Sequence, residues 1–229
     1  MYKVEVYKIS HSPNLLYLMF VVTVVSIFLG ITLSAKMNVS DSSSLLDTAF
    51  IGSSAVLMLY ITIFASFYVN RDYSVNNYRV LIGTGLSRTR IITTKYVVFL
   101  IVSFVIISIH VAIAMGIPII LNKLILSAEQ IQTMLLYFFV YVAVISVVFF
   151  ISIISKTLIK SIMLNLAFII ISSIIVSFSS MSLVPIIPLQ SLQFISSVEG
   201  EEHIVIISTL FYVVASYIAS YVTFLKQEL

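Results

Sequence analysis

Residues Tyr96–Asn122 read YVVFLIVSFVIISIHVAIAMGIPIILN, a run without Asp, Glu, Lys or Arg. About 20 mainly apolar residues carry an α-helix across roughly 30 Å of hydrocarbon, since each residue advances the helix by about 1.5 Å. The run is therefore long enough to span a bilayer. On either side of it, uncharged intervals recur at Ile9–Ala35, Thr48–Asn70, Gln130–Ser155, Ser161–Val198 and His203–Leu225. Pro185 and Pro188 interrupt the longest of these, so its helix is expected to end near Met181. The pattern predicts an all-α, polytopic integral membrane protein with a single transmembrane domain over residues 1–229. Its six transmembrane helices fall at about 14–35, 48–69, 96–122, 131–155, 161–181 and 203–225.

Composition agrees. Hydrophobic residues make up 61% of the chain and charged residues 9%, with a mean hydropathy of +1.18; soluble domains carry about 45–50% and 25%. Too few polar groups are present to coat a water-facing surface, which excludes soluble enzyme folds. The absence of cysteine excludes disulfides, thiolate nucleophiles and iron–sulfur sites. A net charge of +3, scattered along the chain, does not describe a nucleic-acid binder. The first interval is expected to be a retained span. Its uncharged core of roughly 20 residues exceeds the 7–15 of a signal peptide, and Leu33-Ser34-Ala35 is a poor cleavage site.

Orientation follows from Lys and Arg in the short loops. The N-terminus, Arg71–Lys95, Lys156–Lys160 and the C-terminus hold ten of the 12 basic residues, and the other side holds only Lys36 and Lys123. Both termini are expected to be cytoplasmic. Met1–Ser12 is read as an interfacial helix, with Tyr2, Val6 and Ile9 on one side and Glu5, Lys8 and Ser12 on another. In the long first cytoplasmic loop, Val75, Tyr78, Leu81 and Ile82 share one face of a short helix. Gly83-Thr84-Gly85 breaks it, and Ser87 is placed to cap a helix running into the third span. Such a short amphipathic helix suits docking on another protein or on lipid headgroups; the plainer reading is a solvated basic loop.

Within the spans, polar groups are few. His110, mid-span, is a functional candidate by its ionisable nature, and a neutral histidine bonded to a nearby Ser or carbonyl explains it as well. Asn165 has the same two readings, with interhelical hydrogen bonding its ordinary use. Small residues recur at Ser26-x3-Gly30-x3-Ser34, Ala215-x3-Ala219 and Ser216-x3-Ser220, a spacing that lets helices approach closely, within one chain or across a dimer seam. Ser182–Val198 is too polar and irregular to cross lipid. It is expected to form a re-entrant or outward-facing element before the acidic turn Glu199–His203, which lacks the ligands for a metal site. No phosphate-binding G-x-x-x-x-G-K-[ST], H-E-x-x-H or G-x-S-x-G motif occurs, and no carboxylate lies within a span. Any pumping must draw its energy from elsewhere.

The order of these elements resembles the ABC type-2 transporter permeases: a cytoplasmic N-terminal segment, six spans, a long first cytoplasmic loop and a broken external element before the last span. The local match is Arg71-Asp72 to Lys95, ending LIGTGLSRTRIITTK. Family members carry an acidic residue after the second span, a short apolar helix, a small-residue turn, Ser-Arg, and a Lys entering the third span. Asp72 stands where Glu is more usual, and Leu86 where Pro often precedes the Ser. Chains of this length resemble the permeases of lantibiotic-immunity and phenol-soluble-modulin exporters. The resemblance implies a cell-membrane subunit that is not itself an enzyme and binds no cofactor, with ATP and Mg held by a separate ATP-binding subunit. It also implies a second permease, identical or homologous, with the path between the two lined partly by the first, second and fifth spans. The loop helix would contact the ATP-binding subunit through Val75, Tyr78, Leu81 and Ile82, with Asp72 and Arg79 at the rim. Cargo would be amphipathic or hydrophobic. A membrane scaffold without a transport path, or more remotely an intramembrane protease, competes with this reading.

Overall fold

The computed structural model describes residues 1–36, 50, 54–122, 127–178, 195 and 202–227. Among these the regular elements are eight helices: α1 (Tyr2–Ser10), α2 (Pro13–Lys36), α3 (Ser54–Ser74), α4 (Asn77–Gly83), α5 (Arg88–Asn122), α6 (Ala128–Ser155), α7 (Leu158–Phe178) and α8 (Glu202–Lys226). Five of them, α2, α3, α5, α6 and α8, are long and apolar enough to cross a membrane, and α7 adds a shorter apolar stretch over Leu158–Ser172. The all-α polytopic architecture is thus observed. The expected external element at 182–202 falls almost wholly outside the described residues.

Helix boundaries follow local chemistry. Pro13 opens α2, where its missing N–H removes no hydrogen bond. Ser127 and Gln130 form a reciprocal capping box at the start of α6. Ser87 Oγ accepts from the Arg90 amide at 3.3 Å, the cap expected for α5, and that helix then runs unbroken for 35 residues with Pro118 inside it.

The centre of the bundle is α6. Tyr137, Val140, Tyr141, Ile145, Val148 and Phe149 are fully buried along it, and α3, α7 and α8 pack around it. Beside it, Phe99 stacks with Phe64 at 5.4 Å and meets Phe149 at 5.3 Å. Lipid is as apolar as these side chains, so close fit rather than water exclusion holds such helices together. The contact of α2 with α5 shows how. A Cβ at Gly30 would stand 2.9 Å from Ile117 Cδ1 and 3.2 Å from the Ile113 carbonyl oxygen, so glycine is what allows the approach. Ser26, four residues before, bonds across the same seam to His110 at 2.7 Å. On α8, Ser216 and Ser220 are buried. Ser26, Gly30, Ser216 and Ser220 therefore serve packing within the chain.

Both chain ends and the basic loops gather at one end of the bundle. Glu5 of α1 reaches Lys95 of α5, and Tyr73 of α3 donates to Gln227 beyond α8. Arg88 donates to the Leu225 and Gln227 carbonyls at 2.8 Å each, and Gln227 Nε2 donates to the Ile153 carbonyl at 3.1 Å. At the opposite end Gln132 donates to Glu202 at 2.9 Å.

Candidate functional site

The loop between α3 and α5 is built as a rigid corner. Asn76 takes the left-handed conformation (φ 53°) that separates α3 from α4. At the other end, Gly85 has φ +87°, a conformation that suits a residue without Cβ. The Leu86 amide donates to the Leu81 carbonyl at 3.2 Å and the Gly85 amide to the Ile82 carbonyl at 2.9 Å. This pair of bonds around a left-handed glycine is the Schellman stop, usually accompanied by an apolar contact between the residues at either end of the motif. The turn spelled Gly83-Thr84-Gly85 thus closes α4 and turns the chain into α5.

The short helix is present, but its faces differ from the expected ones. Tyr78 is buried within its own chain, with its ring 5.1 Å from Phe224 and 4.5 Å from Tyr73, and its hydroxyl donates to the Val69 carbonyl. Burial pushes the Tyr78 phenol well above its ordinary range, and nearby Tyr73 and Asp72 add to the shift, so the ring stays neutral. Leu81 and Ile82 are partly buried and pack on the core. On α4 the side chains left facing outward are Arg79 and Val80, the latter 60% exposed, and Val75, 61% exposed, stands in the turn just before it. A helix of seven residues set against its own bundle must spend its bulkiest ring on staying there.

Asp72 does not lie at a rim either. It sits in a group of three buried charges, Glu5, Asp72 and Lys95, that joins three helices and is edged by the exposed Lys8. Lys95 of α5 pairs with Asp72 of α3 and, at 3.2 Å, with Glu5 of α1. Lys8 approaches Glu5 at 3.1 Å and Asp72 at 3.8 Å. Asn77 donates to Asp72 at 2.8 Å and Tyr68 donates to Glu5 at 3.0 Å, while the Lys95 ammonium lies 4.5 Å from the Tyr68 ring centroid and 5.4 Å from that of Tyr78. Buried charges are tolerated only when paired and hydrogen-bonded, and each member here has several partners. The expected faces of α1 are corrected accordingly: Glu5 is its most buried residue at 1% exposure, Ile9 is buried with it, and Tyr2 and Val6 face outward. Within α1 itself nothing marks Glu5, because its partner lies 90 positions away.

Beside this group lies a cavity of about 740 Å³, bounded by α1, the first turns of α2 and the last turns of α3. The two intramembrane polar residues stand apart from it. His110 is fully buried, with Nδ1 bonded to Ser26 of the neighbouring helix. Asn165 of α7 donates to Ser152 of α6 at 3.1 Å, in a group where Ser161 meets Ser152 at 3.0 Å and Ser66 of α3 at 2.8 Å. Both make hydrogen bonds between helices.

The corner, the charge group and the first six helices, together with most of α7, fall within residues 1–172, the part matched by a family model described as ABC-2 family transporter protein. No curated protein matches the chain. With the match covering three quarters of the 229 residues, the chain belongs to the ABC-2 family of transporter proteins, whose members are membrane-embedded permeases that work with an ATP-binding subunit.

Proposed function

We propose that this chain is the permease subunit of an ATP-driven exporter, and that α4 is the element on which its ATP-binding subunit docks. The observation that carries this is the outward display of Arg79 and Val80 on a helix fixed from behind by Tyr78, with Val75 exposed in the turn before it, at the end of the bundle that holds the basic loops. By the distribution of Lys and Arg that end is cytoplasmic, the side on which ATP is available. An isolated helix of this length does not persist in water. Fixed to the bundle, it offers a preformed surface, which lowers the ordering cost of association.

The cargo is amphipathic or hydrophobic, of the kind moved by the small peptide exporters that the sequence resembles. The spans offer hydroxyls and aromatic rings but no carboxylate of their own, whereas small ions require charged or carbonyl-lined coordination. A second permease, identical or homologous, completes the path.

The test is retention of the ATP-binding subunit when the tagged chain is purified in mild detergent. Val75→Asp combined with Val80→Asp changes only exposed side chains and should release the subunit while leaving insertion intact. Arg79→Ala should cost little. Leu81 and Ile82 are unsuitable, because they also hold α4 to its own bundle. Full retention by the double variant would remove α4 from the coupling role. No retention by the unmodified chain would favour a scaffold.

A further inference from the structure

The cavity next to the charge group has two kinds of wall. One is charged: Glu5, Lys8, Arg71, Asp72 and Lys95. The other is apolar and follows two helices into the membrane, with Leu18 and Val21 on α2 and Ile63 and Phe67 on α3. Val21 and Ile63 each lie two turns of helix, roughly 12 Å, from the charged end. A volume of about 740 Å³ is within the ~300–1,000 Å³ of cavities that hold small organic ligands.

The charges do not cancel. Glu5 and Asp72 are matched by Lys8 and Lys95 in the ion pairs described above. Arg71, one turn beyond the apolar stretch of α3, is exposed, and among the described residues no ion pair or side-chain hydrogen bond engages its guanidinium. The cavity therefore carries one uncompensated positive charge at its mouth and an apolar trough below it. Guanidinium groups bind phosphate oxygens in a two-pronged geometry, and basic residues at the inner membrane edge attract anionic headgroups.

We infer that this cavity binds one anionic phospholipid of the surrounding bilayer, its phosphate at Arg71 and an acyl chain along Leu18, Val21, Ile63 and Phe67. The site is independent of what the chain transports. It places a lipid against α1 and the end of α3, so the headgroup bridges two of the three helices that the charge group joins.

Native mass spectrometry of the full chain, released from mild detergent and titrated with phosphatidylglycerol or with phosphatidylethanolamine, tests it. The unmodified chain should bind one phosphatidylglycerol roughly fivefold more tightly than phosphatidylethanolamine, the contribution of one basic residue near an anionic headgroup. Arg71→Gln should abolish that preference, and Arg79→Gln, on the outward face of α4, should preserve it. Val21→Trp, which fills the apolar trough, should weaken both lipids. Millimolar inorganic phosphate should not displace the lipid. Equal binding of the two lipids by the unmodified chain, a preference that survives Arg71→Gln, or binding unaffected by Val21→Trp would each overturn the assignment. Displacement by phosphate would show a simple anion site instead. Arg71 is exposed, so its substitution does not threaten the fold; matching elution profiles for the variants confirm this.

Discussion

Lys95 precedes the uncharged run that marks the third span, and its ammonium meets two carboxylates and two aromatic rings. Removing it would leave the buried Glu5 and Asp72 with only the exposed Lys8 as a cationic partner. Breaking a buried pair from one side costs about 3–5 kcal/mol, so Lys95→Met should lower the unfolding temperature in detergent markedly, as followed by circular dichroism. Adding Glu5→Gln to Lys95→Met should restore part of the loss, since one of the stranded charges is then neutral. At Gly30 a methyl group would meet Ile117 at 2.9 Å. Gly30→Leu should therefore destabilise by about 1–3 kcal/mol, the usual cost of overpacking, in the same assay. Single residues were legible in sequence where a local rule applies to them. For His110 and Asn165, interhelical hydrogen bonding was one of the two readings their chemistry offered, and both do bond across helices. Glu5 was not legible, because its meaning depends on a lysine at the far end of two helices and a loop.

Among the elements, α4 and α1 show why spacing alone succeeds in one respect and fails in another. The small-residue turn fixed where α4 ends, because a left-handed position selects glycine through backbone geometry. Gly85→Ala should strain that position and loosen the corner by about 1 kcal/mol, with Gly85→Asn costing less; limited proteolysis within residues 83–88 measures both. Which face of each helix turns inward was another matter. A helical wheel assumes that the apolar side is the buried side, a rule for water. At the edge of a membrane an apolar side chain has lipid to face, and polar groups gain most by meeting one another. So Glu5 turns inward while Tyr2 and Val6 turn outward, and Tyr78, the residue with both a ring and a hydroxyl to place, becomes the anchor of α4.

Across the whole molecule the long apolar helices were legible, since hydrocarbon thickness sets their length and charge marks their ends: among the described residues five are long enough to cross a membrane, and α7 adds a shorter apolar stretch. The grouping of both termini with the basic loops was legible too, from the ten-to-two division of Lys and Arg. The chain has no cysteine, so a single introduced thiol reports its own location. Cysteine at Ser74 should resist an impermeant maleimide in intact cells, and cysteine at His203 should react; the reverse pattern would invert the topology. What the sequence could not convey is how far one helix connects the two sides. With 35 residues in a single α-helix, α5 is roughly 52 Å long, and it begins at Arg88, immediately after the corner that holds α4. A rod of that length is a lever. A tilt of about 5° imposed at the corner would carry its far end sideways by roughly 4–5 Å, about the width of a side chain, with no bond along it broken.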